Sequence, residues 1–498
     1  MLTLTDDGRV ASPAALLWSR RDVSLPLVIE DGGHTWTWSE LAAGSARVAE
    51  RLGDLDGRTV VVSARNGGTL VCGLFGVWLA GGVPAPVSPK LPASERDRIL
   101  ATLDAPLTCA GAEAGFTPDV LLDEKELLAA PTGARHTPPR PLLQDPGIIL
   151  CTSGTTGSPK AVVQTVRGVW GLVDSVASRP VDPEALPTPL PEPPRRIEPK
   201  PMTHIGALFG LMFDLWRGRS FIVMQRFEPV RYAALVREHN VSTVSVVPSM
   251  LRMLLDADVG ELKPPAVYAT TGTAALPESL RVEFEQRFGL PIQLTYGQTE
   301  SCGAIAYEPL DYVLSGIRRV GSSGRVVPQI EMEVRDDEGN VLPFGEVGHL
   351  WIRGEAIRPT VIGDESGRLV DGWLSTGDLG CLDADRYVYL TGRQRELIVR
   401  GGLKVVPAEV ENALLEHPQV SEAAVAGRAD DRLGEVPVAW VRLTGAPPTT
   451  ADLLDHLRTR VAAYKLPVAV HVVTEFPRTD TGKVRKNELV EPIDLVST

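Results

Sequence analysis

Apolar runs rich in valine and isoleucine alternate with helical patterns along most of this chain. Thr59-Val60-Val61-Val62-Ser63 is a short continuous run of this kind, which predicts a buried strand. Residues 70–79 predict a helix, and Gly81-Gly82 supplies the flexible cap that closes it. Residues 241–247, all valine or small hydroxyl residues, predict another strand, and Pro248-Ser249 then opens a helix through Leu255. Strand, helix and strand in repetition predict an α/β fold with parallel sheets. No internal repeat of fixed period is present.

Two stretches break the pattern. Residues 180–201 hold nine prolines in 22 positions, which predicts neither helix nor central strand but an exposed extended loop, or a lid or partner-docking element. The second break lies near Thr391-Gly392-Arg393. Before it runs a β-rich stretch with turn signals such as Asp336-Asp337-Glu338-Gly339-Asn340. After it, strand and helix alternate again over 396–399, 407–415, 420–426 and 450–461. That run of about 100 residues predicts a separate C-terminal domain.

The length of 498 residues allows about three domains or subdomains. A hydrophobic share of 43% is enough for a sizeable core, and 23% charged residues argue against wholesale disorder. Against 50 Lys+Arg stand 63 Asp+Glu, a net charge of −13 that lacks the basic footprint of a nucleic-acid binder. Only nine of the cations are lysines, so each lysine is a rarer event. The N-terminus shows no basic n-region followed by an apolar stretch, and the longest apolar run, 69–80, is too short to span a membrane. Five scattered cysteines (72, 109, 151, 302 and 381) fit a reducing compartment and neither a disulfide framework nor a zinc site. A soluble, cytoplasmic protein is expected.

The strongest local signal is Ile148-Ile149-Leu150-Cys151-Thr152-Ser153-Gly154-Thr155-Thr156-Gly157-Ser158-Pro159-Lys160. A buried strand runs into a loop of small hydroxyls and glycines that ends on one of the few lysines. Glycines let the backbone approach an anion, hydroxyls and amides donate to it, and the lysine adds charge. The chemistry implied is polyphosphate binding. The pattern is not G-x-x-x-x-G-K-[ST], because Ala161 stands where a hydroxyl would hold magnesium.

Further motifs follow in order over nearly the whole chain. They are Thr35-Trp36-Thr37-Trp38-Ser39-Glu40-Leu41, Pro201-Met202-Thr203-His204-Ile205-Gly206, Thr271-Gly272-Thr273-Ala274-Ala275-Leu276, Tyr296-Gly297-Gln298-Thr299-Glu300 and Ser375-Thr376-Gly377-Asp378. Gly392-Arg393 and Pro477-Arg478-Thr479-Asp480-Thr481-Gly482-Lys483 complete the set. Together they resemble the signatures of the adenylate-forming superfamily, which includes acyl-CoA synthetases, peptide-synthetase adenylation domains and luciferases. Bacterial acyl-CoA ligases are the nearest group.

The resemblance implies a large N-terminal domain of stacked α/β sheets with a β-rich subdomain over 1–392. It further implies a hinge over 393–396 and a small mobile α+β domain over 397–498 carrying the catalytic lysine. It also implies an acyl-CoA ligase using ATP, Mg2+ and coenzyme A through an acyl-adenylate. By the same resemblance Thr152, Ser153, Gly154, Thr155, Thr156, Gly157 and Lys160 hold phosphates. Gly272, Thr273, Ala274, Tyr296 and Gly297 meet the nucleotide, Tyr296 by stacking on adenine. Thr299 bonds the α-phosphate, Glu300 holds magnesium, Asp378 takes the ribose diol and Arg393 reaches the ribose. Lys483 is the catalytic cation, acting with Thr299, Glu300 and Arg393. The acyl pocket falls to His204, Ile205, Gly272, Gly297, Gln298 and Gly303, whose small residues leave room for a bulky acid. Gly401, Gly402, Leu403 and Lys404 line a passage for the thiol arm.

The chain departs from the family pattern at Arg395, where the hinge usually has Asp or Lys, at Ala161 and at Val166. These departures keep alternatives in view: an enzyme working mainly from a preformed acyl-adenylate, or one loading a carrier protein in trans. A non-catalytic adenylate binder is the reading from another class. Few lysines with many Ala, Gly, Arg and Pro suggest a high-GC bacterium and natural-product biosynthesis.

Overall fold

The computed structural model describes residues 13–104, 107–129, 146–152, 160–166, 168–169, 196–354, 357, 360–362, 369–444, 448–479 and 482–489. The N-terminal part begins with strands β1 (Pro26–Glu30) and β2 (Thr35–Thr37). Thr37 ends β2 and caps the helix Trp38–Leu52: its hydroxyl accepts from the Glu40 amide while the Glu40 carboxylate accepts from the Thr37 amide at 2.7 Å. The Thr37-x-x-Glu40 spacing is therefore a capping box. β3 (Thr59–Ser63) follows as expected, and then the helix Gly68–Leu79, buried along every face from Gly68 to Trp78. A helix apolar all round belongs at the centre of a large core. Its first turn is met by Glu30, whose carboxylate accepts from the Gly68 amide at 2.9 Å and Trp36 Nε1 at 2.8 Å. Burial raises the Glu30 pKa, against the pull of those two donors.

β3 lies in a parallel sheet with β4 (Val83–Pro86), β5 (Leu107–Ala110) and β6 (Val120–Leu121). β7 (Pro146–Thr152) and β8 (Lys160–Thr165) then form an antiparallel hairpin in which Thr152 is paired with Lys160. β9 (Ile197–Glu198) and β10 (Phe221–Val223) run parallel to β1, in the order β2-β1-β10-β9. Most of the proline-rich stretch, 180–195, lies outside the described residues. Its end corrects the expectation of an exposed loop, because Ile197 and Glu198 are a buried edge strand. Residues 195–198 contain no proline, and Arg196 is anchored by Glu198 at 2.6 Å and Asp214 at 2.7 Å.

β11 (Thr243–Ser245), β12 (Tyr268–Thr271) and β13 (Ile292–Gln298) are parallel, and β14 (Gly303–Tyr307) and β15 (Arg325–Val326) extend this sheet antiparallel. β11 is shorter than the 241–247 expected, because Val247 is already the N-cap of helix Pro248–Asp256. The remaining N-terminal strands are antiparallel. They are β16 (Glu331–Arg335), β17 (Gly348–Arg353), β18 (Thr360–Ile362), β19 (Leu369–Val370), β20 (Trp373–Leu382) and β21 (Val388–Arg393). A short 3-10 turn, Gln394–Glu396, leads to a separate sheet. There β22 (Ile398–Arg400) and β23 (Leu403–Val405) form a hairpin beside β24 (Val420–Asp430), β25 (Gly434–Leu443) and β26 (Ala469–Val472). Helices Pro407–Leu415 and Thr450–Arg458 close a hydrophobic core of its own.

This smaller C-terminal domain is seated on the larger one. A Cβ at Gly482 would lie 2.6 Å from Ser249 Oγ, so the Gly482 backbone packs tightly against the start of helix Pro248–Asp256. Arg442 reaches Asp256 at 3.5 Å, and Lys404 reaches Asp337 at 2.8 Å. Among the described residues no helix is long and apolar enough to cross a membrane.

One buried ion pair fixes the strand that reaches the site. Arg281 meets Glu308 through both guanidinium nitrogens at 3.1 Å, and Glu308 also accepts from the Leu294 amide of β13. Arg281→Met therefore strands a buried carboxylate against β13. We expect a loss of about 3–5 kcal/mol, read as a lowered denaturation midpoint by tryptophan fluorescence.

Candidate active site

The C-terminal ends of β12 and β13, adjacent in a parallel sheet, are where ligands gather in α/β folds. They approach so closely that a Cβ at Gly272 would lie 2.3 Å from Thr295 Oγ1. Thr273 follows with φ +69°, a left-handed conformation costly for a β-branched residue. At the end of β13, a Cβ at Gly297 would lie 2.0 Å from the Gly303 carbonyl. The turn between β13 and β14 is stapled by Ser301, whose hydroxyl accepts from the Gln298 amide at 3.0 Å and donates to the Gly303 carbonyl at 2.6 Å. Thr299 and Glu300 stand in this turn, both half-buried, and their carbonyls accept from Gln164 Nε2 on β8. Gln298 Nε2 and Thr271 Oγ1 are buried and find no hydrogen-bond partner among the described residues, as at a surface shaped for a polar ligand.

Asp378 on β20 pairs in register with Arg393 on β21 and is only 7% exposed. Tyr296 donates its hydroxyl to one carboxylate oxygen at 2.7 Å, and Arg393 Nε stands 3.2 Å from the other. Burial and the Asp378 charge hold the Tyr296 phenol well above its ordinary value. Tyr296 itself is packed in the core of the β-rich region, with 7% of its surface free.

Lys483, next to Gly482 in the smaller domain, lies within range of the Arg393 charge. Its amide donates to Thr479 Oγ1 at 3.1 Å, and the Thr479 amide donates to its carbonyl at 2.8 Å. Burial, then the neighbouring Arg393 charge, pushes the Lys483 ammonium down to about 8, with Glu396 opposing and Arg395 adding to the fall. Lys486 is held by Glu396 at 3.0 Å and Glu411 at 2.7 Å, in a network that keeps Glu396 ionised despite its burial. The departure at 395 thus acts on the catalytic candidate: an arginine there repels the Lys483 proton, where an aspartate would attract it.

His204 is the N-cap residue of helix Ile205–Arg217, and Ile205 packs on the core that contains helix Gly68–Leu79. A Cβ at Gly206 would lie 3.9 Å from Thr273 Cγ2, so this segment borders the Gly272–Thr273 turn. Ser153, Gly154, Thr155, Thr156 and Gly157 lie outside the described residues, as does the side chain of Thr152; Lys160 opens β8 at the loop's return. The β22–β23 turn is not brought to this cluster. Gly401 (φ +56°), Gly402 (φ +84°), Leu403 and Lys404 are exposed, with Lys404 on Asp337 and His349 on the same carboxylate at 2.8 Å.

A cleft of about 610 Å³ opens between the domains beside Gly482. It is lined by Arg65, Lys90, Arg226, Arg252, Arg442 and Arg478 against three carboxylates, net positive in a chain of net charge −13. Two cysteines near these segments respond to burial alone. Burial pushes the thiols of Cys151, one residue before Thr152, and Cys302, two residues after Glu300, up to about 12.

Sequence reasoning missed Gln164 and Ser301. Gln164 left one signal, a long polar side chain within Ala161-Val162-Val163-Gln164, while Ser301 left none.

The site combines strand-end glycines, a clamped carboxylate and, from the smaller domain, a lysine whose charge Arg393 tunes. Comparison with known proteins identifies the class. The family described as "AMP-binding enzyme" matches residues 18–360, and "AMP-binding enzyme C-terminal domain" matches 409–483. Indoleacetate–CoA ligase of Aromatoleum aromaticum is 33% identical over 70% of this chain and 67% of its own length. Sulfoacetate–CoA ligase of Cupriavidus necator is 31% identical over 93% of this chain and 94% of its own. The solved structure of Bacillus subtilis o-succinylbenzoate CoA synthetase with its acyl-adenylate intermediate has a TM-score of 0.81. It is 27% identical and covers 96% of this chain and 98% of that one. The same enzyme with ATP and magnesium also scores 0.81, at 28% identity over 95% and 98%. The chain belongs to the AMP-binding enzyme family.

Gly297→Ala tests the tightest contact of the site. The added methyl meets the Gly303 carbonyl and must displace the turn carrying Thr299 and Glu300. We expect ATP–pyrophosphate exchange to fall by about 10²-fold, with a modest drop in thermal midpoint, read by exchange assay and calorimetry.

Proposed function

We propose that this chain activates a carboxylic acid lacking an α-amino group as its acyl-adenylate and passes the acyl group to coenzyme A, with Lys483 serving the first step. In class it is an AMP-forming acid–thiol ligase working with ATP, Mg2+ and coenzyme A, as its relatives are. The observation that carries the residue assignment is the clamp of Tyr296 and Arg393 on Asp378, with Lys483, from beyond 393–396, within range of the Arg393 charge.

A carboxylate does not transfer its acyl group to a thiol because oxide is a poor leaving group. Attack of the carboxylate oxygen on the α-phosphorus forms an O–P bond and breaks the bond to pyrophosphate. Attack of the thiolate on the acyl carbon then forms the thioester and releases AMP. In this reading residues 152–160 hold the outer phosphates, Thr299 the α-phosphate and Asp378 with Arg393 the ribose. Tyr296 orients Asp378 through its hydroxyl and offers the nucleobase only the small free part of its ring. Lys483, charged below about pH 8, offsets the negative charge that builds between carboxylate and phosphate. Magnesium neutralises phosphate charge when bound. Glu300 suits it as a single, partly exposed carboxylate for a cation that keeps water and phosphate oxygens. The unpartnered Gln298 Nε2 supports the assignment of Gln298, with Gly297, Gly272, Gly303, His204 and Ile205, to the acid side. No Asp or Glu stands in 203–210, 271–274 or 296–298 to pair with an ammonium, which favours an acid without one.

Coenzyme A is favoured over a carrier protein by the positive interdomain cleft, which suits a phosphorylated small thiol. Gly401, Gly402, Leu403 and Lys404 would serve the thiol arm in a second orientation of a domain turning about 393–396. Unpaired cysteines support a cytoplasmic setting, and composition alone supports natural-product biosynthesis.

Purified protein with Mg-ATP and a panel of aromatic, fatty and polycyclic acids tests this. We expect pyrophosphate release and a matching acyl-CoA mass for at least one acid; thioester formed only from supplied acyl-adenylate would overturn the ATP half. Lys483→Ala should slow pyrophosphate release by about 10²–10³-fold. With the Lys483 pKa lowered, kcat/KM for ATP should fall as pH rises through about 8. Arg395→Asp should move that fall to higher pH, read from pH–rate profiles.

A further inference from the structure

Gln164 is 1% exposed on β8, four residues beyond Lys160. Its Nε2 lies 2.6 Å from the Thr299 carbonyl and 3.2 Å from the Glu300 carbonyl. Two carbonyls can only accept, so the donating end of the amide must face them. Its Oε1 is buried and meets no donor among the described residues, so the side chain is spent on this one pair of contacts. The β7–β8 hairpin, with Thr152 paired to Lys160, carries the base of the 152–160 loop, and the β13–β14 turn carries Thr299 and Glu300. These belong to different sheets, and Gln164 bridges them.

We propose that Gln164 is a positioning residue that holds the Thr299–Glu300 turn at a fixed place against β8, the strand that opens with Lys160. It thereby sets the α-phosphate and magnesium geometry for the first half-reaction; this rests on the assignment of Lys160, Thr299 and Glu300 to Mg-ATP above. The contact is to backbone, so it acts on where the turn sits and not on any reacting atom. Without it, the Thr299 carbonyl keeps the Cys302 amide at 3.0 Å but loses its tie to β8, the Glu300 carbonyl loses this donor, and the turn settles elsewhere. The second half-reaction uses an acyl-adenylate, which has no outer phosphates to be aligned, and does not need this placement.

The test compares Gln164→Leu, of similar volume, with Gln164→Glu, which keeps the shape but sets an acceptor against two acceptors. Gln164→Met is a third variant should either fail to fold. Each is assayed for pyrophosphate release across Mg2+ and ATP concentrations, and for acyl-CoA formation from synthetic acyl-adenylate plus coenzyme A. We expect kcat/KM for ATP to fall by about 10²-fold, with more Mg2+ needed for half-maximal rate and thioester formation within about two-fold of wild type. Equal loss in both half-reactions would make Gln164 a general packing residue and overturn the proposal, as would wild-type ATP and Mg2+ dependence. Glu300→Gln serves as the control. If it too keeps wild-type Mg2+ dependence, the Mg-ATP assignment fails and takes this proposal with it. A normal Gln164→Leu beside an impaired Glu300→Gln overturns the proposal alone.

Discussion

Arg393 is the last residue of β21, and its guanidinium faces Asp378 on the neighbouring strand. The polypeptide leaves the larger domain at this point, so one ion pair sets both the buried carboxylate and the direction in which the smaller domain departs. Tyr296 clamps Asp378 from the other side. Because Tyr296 lies on β13 and Asp378 on β20, strands of two different sheets, the same carboxylate joins the two sheet systems. Much else follows from that knot. Lys483 lies within range of the Arg393 charge, in a C-terminal domain that Gly482 seats on the start of helix Pro248–Asp256. The charge that tunes Lys483 comes first from Arg393, the residue already committed to Asp378.

Much of this could be read along the chain because steric demands leave local marks. Gly272 and Gly297 occupy positions where a Cβ would overlap Thr295 or Gly303, and each stood inside one of the ordered sequence motifs. The C-terminal elements appeared where their alternation placed them, since a small domain must close a core of its own. The Thr37-x-x-Glu40 spacing was visible as part of a family signature, but its physical role, a capping box, became clear only in the structure. The proline count misjudged the end of its stretch, because composition averages over a window while Ile197 and Glu198 respond to their own neighbours. Arg196, tied to Asp214, draws those two residues into the core.

The contacts that escaped the sequence span long separations between unlike groups. Gln164 serves carbonyls 135 and 136 residues away, and a backbone carbonyl has no letter of its own. Lys404 on Asp337 is similar: neither residue advertises the other, and both are ordinary surface types. The exposed β22–β23 turn shows that a resemblance can name a segment without saying where it rests in a given domain orientation.

An enzyme that makes an activated acyl group must keep its own nucleophiles from intercepting it. Cys151 and Cys302 flank the two segments nearest the chemistry, yet both sit in apolar surroundings that leave almost no thiolate at neutral pH. Burial here works as chemical insulation. For Cys151 and Cys302, self-acylation, the characteristic poisoning of a catalyst by its own intermediate, is opposed by packing alone.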